Sequence, residues 1–197
     1  MTNTIDYYNK NATAFNASTV EVEFHEMQDK FLSCVTGGKR LLDFGCGSGR
    51  DTKYFLSKGY DVDAADGSKE MCALAESLTG IEVKQMMFNE LSAKNEYDGI
   101  WACSSILHLN KIDLKDVMIK MAAAIKDTGI IYTSFKYGEF SGERNGRFFT
   151  DFTSESFREF LKDIPQLEIK EEWITGDVRP GRGDEKWLNL IIEKTRR

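Results

Sequence analysis

The chain predicts a doubly wound parallel α/β sheet. Five short apolar runs alternate with segments of helical period, a glycine-rich turn follows the first run directly, and an acidic residue closes the second. The first run, residues 40–45, passes through Gly45-Cys46-Gly47-Ser48-Gly49 into a helix. The second run is 61–65; after it Ser68 is an N-cap, Met71, Leu74, Ala75 and Leu78 share one face, and Gly80 stands at a stop. The third and fourth runs are 82–87 and 97–103. Asp113 then caps a helix in which Leu114, Val117, Met118, Met121 and Ile125 recur at spacings of three and four, ending near Thr128-Gly129. The fifth run, 130–135, is followed by a loop over 136–152 and a helix opened by Ser154 with Phe157, Phe160 and Leu161. Runs 167–175 and 187–193, joined by a turn containing Pro180-Gly181, complete a mixed sheet of seven strands. Ahead of the first strand, Val20, Phe24, Met27, Phe31 and Leu32 stand near helical spacing, so one or two helices precede the sheet.

Composition narrows the function. The 197 residues are 41% hydrophobic and 29% charged, which excludes a disordered or collagenous chain. Lys plus Arg at 26 against Asp plus Glu at 32 leaves a net charge of −6, which supplies no attraction to a phosphate backbone and disfavours nucleic acid as a partner. No run approaches the roughly 18 apolar residues of a membrane span, and the N-terminus lacks the basic and apolar regions of a signal peptide, so a cytoplasmic protein is expected. Cys34, Cys46, Cys72 and Cys103 form no Cys-x-x-Cys pair, and His25 and His108 make no ligand cluster with them. Reduced thiols and no metal follow.

Glycines at 45, 47 and 49 let the turn take positive φ and let a ligand approach bare backbone. Asp66, ending the second run beside the first, either caps the next helix or accepts from both hydroxyls of a ribose. A dinucleotide fingerprint needs its third glycine at position 50, where this chain has Arg50.

Asp43 through Gly49, Val62 through Ser68 with Met71, and Tyr97-Asp98-Gly99-Ile100 leading to Leu107-His108 together resemble the class I S-adenosylmethionine-dependent methyltransferases, over about residues 38 to 135. The resemblance implies a Rossmann-like sheet of order 3-2-1-4-5-7-6 with strand 7 antiparallel. It implies S-adenosyl-L-methionine as cofactor, released as S-adenosyl-L-homocysteine after in-line transfer to a small-molecule acceptor. It puts Asp43 and the backbone of Gly45, Cys46, Gly47, Ser48 and Gly49 against the methionine and ribose portion, and Asp66 with Gly67 and Ser68 at the ribose. Met71, Met87 and Phe88 then flank the adenine. The acidic residue that the family often has after the third strand is replaced by Met86-Met87-Phe88-Asn89, leaving the adenine amino group to Asn89 or to backbone. Cys103, Ser104 and His108 close the site from the fourth strand. The leader Asp6-Tyr7-Tyr8 through Phe15 resembles the aromatic helix that covers the cofactor in many small-molecule members. Residues 1–37 thus read as a helical lid, 38–135 as the cofactor-binding half and 136–197 as the substrate-side loop, helix and hairpin of one domain. Within the superfamily the loop and leader look most like the tellurite-resistance and related small-molecule enzymes.

The substrate side is read from the residues themselves. Arg50 either pairs with the methionine carboxylate or is a solvated residue of a first helical turn. Cys103 has no base beside it and reads as a strand residue rather than a nucleophile. His108 is a general base or a packed cap residue. Arg144, Arg147 and Arg179 either face an anionic acceptor through their planar guanidinium forks or pair with the many acids; a carboxylate or a chalcogen oxyanion fits the first case. Tyr7, Tyr8 and Phe15 are the expected lid contacts. An RNA (tRNA) methyltransferase, a nicotinamide oxidoreductase and a catalytically silent cofactor-binding module are the rival readings, and the chain fits a monomer or a homodimer.

Overall fold

The computed structural model describes residues 2–179 and 181–195, the side chain of Thr2 excepted; Pro180 of the expected terminal turn lies outside them. Helices α1 (Thr2–Thr19) and α2 (His25–Cys34) precede the first strand. Strands β1 (Arg40–Phe44), β2 (Asp61–Asp66), β3 (Val83–Gln85), β4 (Tyr97–Ala102) and β5 (Ile125–Lys136) alternate with helices α3 (Arg50–Ser57), α4 (Lys69–Thr79) and α5 (Lys111–Ala124). A short hairpin, β6 (Ser141–Arg144) and β7 (Arg147–Thr150), then leads to α6 (Ser154–Leu161) and the long strands β8 (Leu167–Gly176) and β9 (Lys186–Lys194).

The main sheet has the order β3-β2-β1-β4-β5-β9-β8, with β9 antiparallel to both of its neighbours. This is the expected topology once the inserted hairpin is counted. Every residue of β4 is buried, as a central parallel strand covered on both faces requires. One face packs Phe135, Phe152, Phe157, Leu114 and Met118, carried by β5, α5 and α6 and their connections. The other packs Met27 and Phe31 of α2 with Phe55, Trp101 and Tyr132, the last two stacked at 4.0 Å.

Four local expectations are corrected. Asn110, not Asp113, caps α5, because its side-chain oxygen accepts from the backbone N–H of Ile112 and Asp113. That helix ends at Ala124 and passes straight into β5, since Ile125 pairs with Tyr97 on the central sheet, so the strand starts well before residue 130. Residues 136–152 are a β-hairpin rather than a loop: Asn145 and Gly146 take φ of 50° and 75°, the conformation of a type I′ turn. The lid is α1 alone, because the apolar face of α2 is consumed by the core.

Candidate functional site

A deep pocket opens at the carboxyl edge of β1, β2 and β4, where an open α/β sheet binds ligands. Its floor is the glycine turn. Gly45 takes φ +88°, and a Cβ there would lie 2.4 Å from the Cβ of Ser105, whose hydroxyl donates to the Phe44 carbonyl. The turn therefore sits against the segment that follows β4, beside the end of β1, with no room for a side chain.

Asp66 forms one wall. One of its carboxylate oxygens accepts from the Gly47 N–H at 2.9 Å and the other from the Ser68 N–H at 2.8 Å. Each oxygen keeps a lone pair. Burial pushes this carboxyl up, against the backbone N–H groups that lower it. Two fixed acceptor oxygens beside bare backbone fit the two adjacent hydroxyls of a ribose. Met71, Met87 and Phe88 line the neighbouring wall, with Phe88 edge-on to Phe44 at 4.9 Å. Cys46, Gly47, Ser48, Gly67, Cys103 and Ser104 also line it. The Cys103 thiol is pushed up to about 12 by burial, the state of an inert strand residue rather than a nucleophile.

Helix α1 roofs the pocket with Thr4, Ile5, Tyr8 and Phe15. It is tied down at separate points: Ser68 Oγ donates to Asn9 Oδ1 at 2.7 Å, and the Phe148 N–H donates to Thr4 Oγ1 at 3.2 Å. Tyr8 and Phe15 meet edge to face at 5.2 Å. On the substrate side, Tyr8 Oη lies 2.9 Å from His108 Nε2 and 3.3 Å from Arg147 Nη1. His108 Nδ1 is 2.6 Å from the Phe148 carbonyl, and burial holds this imidazole down at about 4, so it is neutral at pH 7.

Several expected contacts stand elsewhere. Asp43 is buried beneath the turn, not on the pocket wall, and accepts from Thr52 Oγ1 at 2.5 Å. Gly49 is also off the wall: the space a Cβ would take is filled by Ala75 and Thr79, so this glycine serves the packing of α3 on α4. Ser68 caps α4. Asn89 is not on the pocket wall, and its backbone carbonyl accepts from Lys120. Tyr7 lies outside the wall with its ring under the Arg147 guanidinium at 4.5 Å. Arg144 is clamped by Asp151 and turned into a shallower outer cleft. Arg50 and Arg179 do line the pocket, but Arg50 pairs with Asp51 through Nε at 2.8 Å and Nη2 at 3.0 Å, and Arg179 pairs with Asp177 at 2.5 Å. Asp51 is a hub, also accepting from Gln28 at 2.7 Å and the Trp101 indole at 2.8 Å, and so holds Arg50 in place on the pocket wall.

Residues not foreseen also line the pocket: Ser134 and Lys136 of β5, Phe149 of β7, Asp177 and Arg182 of the terminal turn, and Asn189 of β9. The Asn-Gly pair at 145–146 was the signal that would have found the β7 wall, since that dipeptide favours a type I′ hairpin.

Burial, and after it the charge of Asp51, pushes the Asp43 carboxyl up to about 8. The folded chain then holds a proton that the unfolded chain has released, so the stability tied to Asp43 is fully present below about pH 4 and is lost as pH rises toward 8. Asp43→Asn keeps an acceptor for Thr52 and removes that loss. Its Tm relative to the parent is expected to rise steadily between pH 5 and pH 8; a constant difference would refute it.

A doubly wound sheet with a glycine turn, a fixed carboxylate at the switch between β1 and β2 and an aromatic roof defines a nucleoside-binding α/β protein. The comparisons carry this further. Residues 41–129 match the family described as methyltransferase domain. A Staphylococcus carnosus protein known as an uncharacterized methyltransferase is 24% identical over 156 residues, 76% of this chain and 74% of that one. A ubiquinone biosynthesis O-methyltransferase from Rhodopseudomonas palustris is 32% identical over 111 residues, 54% of this chain and 43% of its own length. In fold, the chain superposes with a TM-score of 0.77 on the 1,6-didemethyltoxoflavin N1-methyltransferase of Burkholderia thailandensis, crystallised with 1,6-didemethyltoxoflavin and S-adenosylhomocysteine; identity is 20%, covering 98% of this chain and 85% of that one. Residues 41–129 thus carry the match to a methyltransferase domain, and the chain has the fold of the class I S-adenosylmethionine-dependent methyltransferases. Among the described residues, no helix is long and apolar enough to cross a membrane.

Proposed function

We propose that the enzyme methylates a small anionic acceptor held by Arg147. One observation carries this reading. Arg50, Arg144 and Arg179 are each neutralised by an aspartate, whereas among the described residues no carboxylate lies within ion-pair distance of Arg147. Its Nε is buried without a partner, and its plane is held over Tyr7 at 4.5 Å and Phe149 at 5.2 Å. A half-buried guanidinium with a buried, unpartnered Nε and no carboxylate beside it suits a ligand carboxylate or oxyanion, which can accept two parallel hydrogen bonds from it.

The bound cofactor supplies an electrophilic methyl group on a sulfonium. In this reading Asp66 holds the ribose hydroxyls, the Gly45–Gly47 backbone lies against the ribose and methionine portion, and Met71, Met87 and Phe88 flank the adenine. Tyr8 and Phe15 exclude water and present aromatic surface suited to a dispersed cation. The protein's contribution is alignment in a desolvated pocket. Lys136 and Arg182 at the mouth are paired with Glu185, which leaves little surplus charge for a polynucleotide backbone. The four free thiols suit a reducing cytoplasm.

Arg147→Gln tests the reading. Against a panel of short carboxylates, tellurite, selenite, amines and thiols, the KM of the preferred acceptor is expected to rise by about 10- to 100-fold, the loss of a charge-assisted hydrogen-bond pair, with cofactor affinity unchanged. An unchanged KM, or a neutral preferred acceptor, refutes it.

A further inference from the structure

The hydrogen bonds around His108 fix where each proton sits. The Phe148 carbonyl can only accept, so the ring hydrogen is on Nδ1 at 2.6 Å, and Nε2 is left bare. Tyr8 Oη, 2.9 Å away, must then be the donor to Nε2. Tyr8 has one hydrogen and has committed it. Toward the pocket its oxygen is therefore an acceptor, with Arg147 Nη1 at 3.3 Å beside it. A ligand that meets an acceptor-only oxygen next to a guanidinium with no carboxylate partner among the described residues must offer a donor next to an anionic group.

Resting on the anion reading above, we propose that Tyr8 and His108 form a proton relay. The acceptor class it defines is a short acid whose hydroxyl or N–H nucleophile stands within a few bonds of its anionic group. In the transfer step the acceptor's O–H or N–H bond breaks and its proton passes to Tyr8 Oη. The Tyr8 proton passes to His108 Nε2. The freed electron pair forms the new bond to the methyl carbon, and the electrons of the broken carbon–sulfur bond stay on sulfur as a neutral thioether. One positive charge leaves the sulfonium as another appears on the imidazole, so a desolvated pocket never has to hold an added charge. The Phe148 carbonyl stays in place to stabilise the imidazolium through Nδ1–H.

The groups facing His108 agree with this assignment. Helix α1 brings Tyr8, with Tyr7 beyond it, and β7 brings Arg147, the Phe148 carbonyl and the Phe149 ring at 4.8 Å. Lys136 of β5 is held by Glu185, and Asp66 acts on Tyr8 from across the pocket. None of these is a carboxylate on the imidazole. Burial and the Arg147 charge keep His108 unprotonated and ready to accept, and an arriving ligand anion together with loss of the sulfonium charge raises its basicity at the moment of transfer.

The wild-type chain itself provides the first test, because it has two histidines and the other, His25, is exposed and serves as an internal reference. Imidazole nitrogen NMR of the S-adenosylhomocysteine complex should show the Nδ1–H tautomer at His108. Its titration midpoint should lie about one pH unit higher there than in the complex with a cofactor analogue bearing an ammonium in place of the sulfonium. An Nε2–H tautomer, or identical midpoints, overturns the relay. The second test compares 2-hydroxybenzoate with 2-mercaptobenzoate, whose thiol ionises without help. Tyr8→Phe and His108→Gln should lower kcat by about 100-fold for the hydroxyl acceptor and at least tenfold less for the thiol. Equal losses would make the pair a structural latch. The imidazole readout decides the proposal whether or not either benzoate is turned over. A wrong tautomer removes the relay, whereas an Arg147→Gln variant with unchanged KM and the expected tautomer removes the anion reading alone.

Discussion

Asp66→Ala is expected to weaken cofactor binding by about 100-fold or more, measured by calorimetric titration with S-adenosylhomocysteine. Hydrogen bonds to a charged acceptor contribute about 1.5–3 kcal/mol each, and Asp66 has a free lone pair on each oxygen for the two hydroxyls of a ribose. The substitution also releases the Gly47 and Ser68 N–H groups that this carboxylate holds, so the turn itself loosens. Asp66→Asn keeps one acceptor and loses the charge, and about a tenfold loss is expected. A dissociation constant for Asp66→Ala within about threefold of the parent would show that the ligand does not engage this wall.

Gly45→Ala should be at least as damaging, and through the backbone rather than through a lost contact. The residue's φ of +88° is costly for any side chain, by about 1–2 kcal/mol, and the added carbon would fall 2.4 Å from the Ser105 Cβ. Ser105 cannot retreat without giving up its hydrogen bond to the Phe44 carbonyl, which joins the ends of β1 and β4. The turn must shift instead, carrying Cys46 and Gly47 with it. We expect Tm to fall by several degrees and S-adenosylhomocysteine binding to become undetectable by calorimetry. An alanine variant that binds normally would mean that the turn has slack the structure does not show. The contrast with Gly49→Ala is informative, because that side chain would press on Ala75 and Thr79 behind the pocket: stability should drop while the remaining folded protein still binds.

The lid joins the two halves of the site. Helix α1 is fastened to the cofactor side through Asn9 and Ser68, and to the acceptor side through Thr4, Tyr8 and β7. Most of these ties are single hydrogen bonds between partly buried groups. The same helix therefore contacts both the Asp66 wall and the Tyr8–His108–Arg147 cluster.

The parallel core was legible because each strand is a short apolar run and each helix carries its face at spacings of three and four. The glycine turn and Asp66 were legible for a similar reason: positive φ and a carboxylate at the edge of the neighbouring strand impose residue types at fixed distances along one chain. Misreadings arose where local signals compete. Asn110 and Asp113 are both good caps, and the helix phase that decides between them is set by packing of Leu114 and Met118 on the sheet. Met27 and Phe31 have the spacing of a lid helix as much as of a core helix, and only the empty face of the sheet drew them inward.

The sequence by itself determined the sheet, its order and the glycine turn with the carboxylate beside it, because these depend on periodicity and on motifs a few residues long. It also placed arginines on the acceptor side without telling them apart. Tertiary structure decided that: Asp51, Asp151 and Asp177 neutralise Arg50, Arg144 and Arg179, while the Asn145-Gly146 turn lifts Arg147 onto Tyr8 and His108 with no acid in reach among the described residues. Charge pairing is a matter of distance in space. Residues 8, 108 and 147 share no local pattern, and only the closing of α1 and β7 over the sheet edge makes them one site.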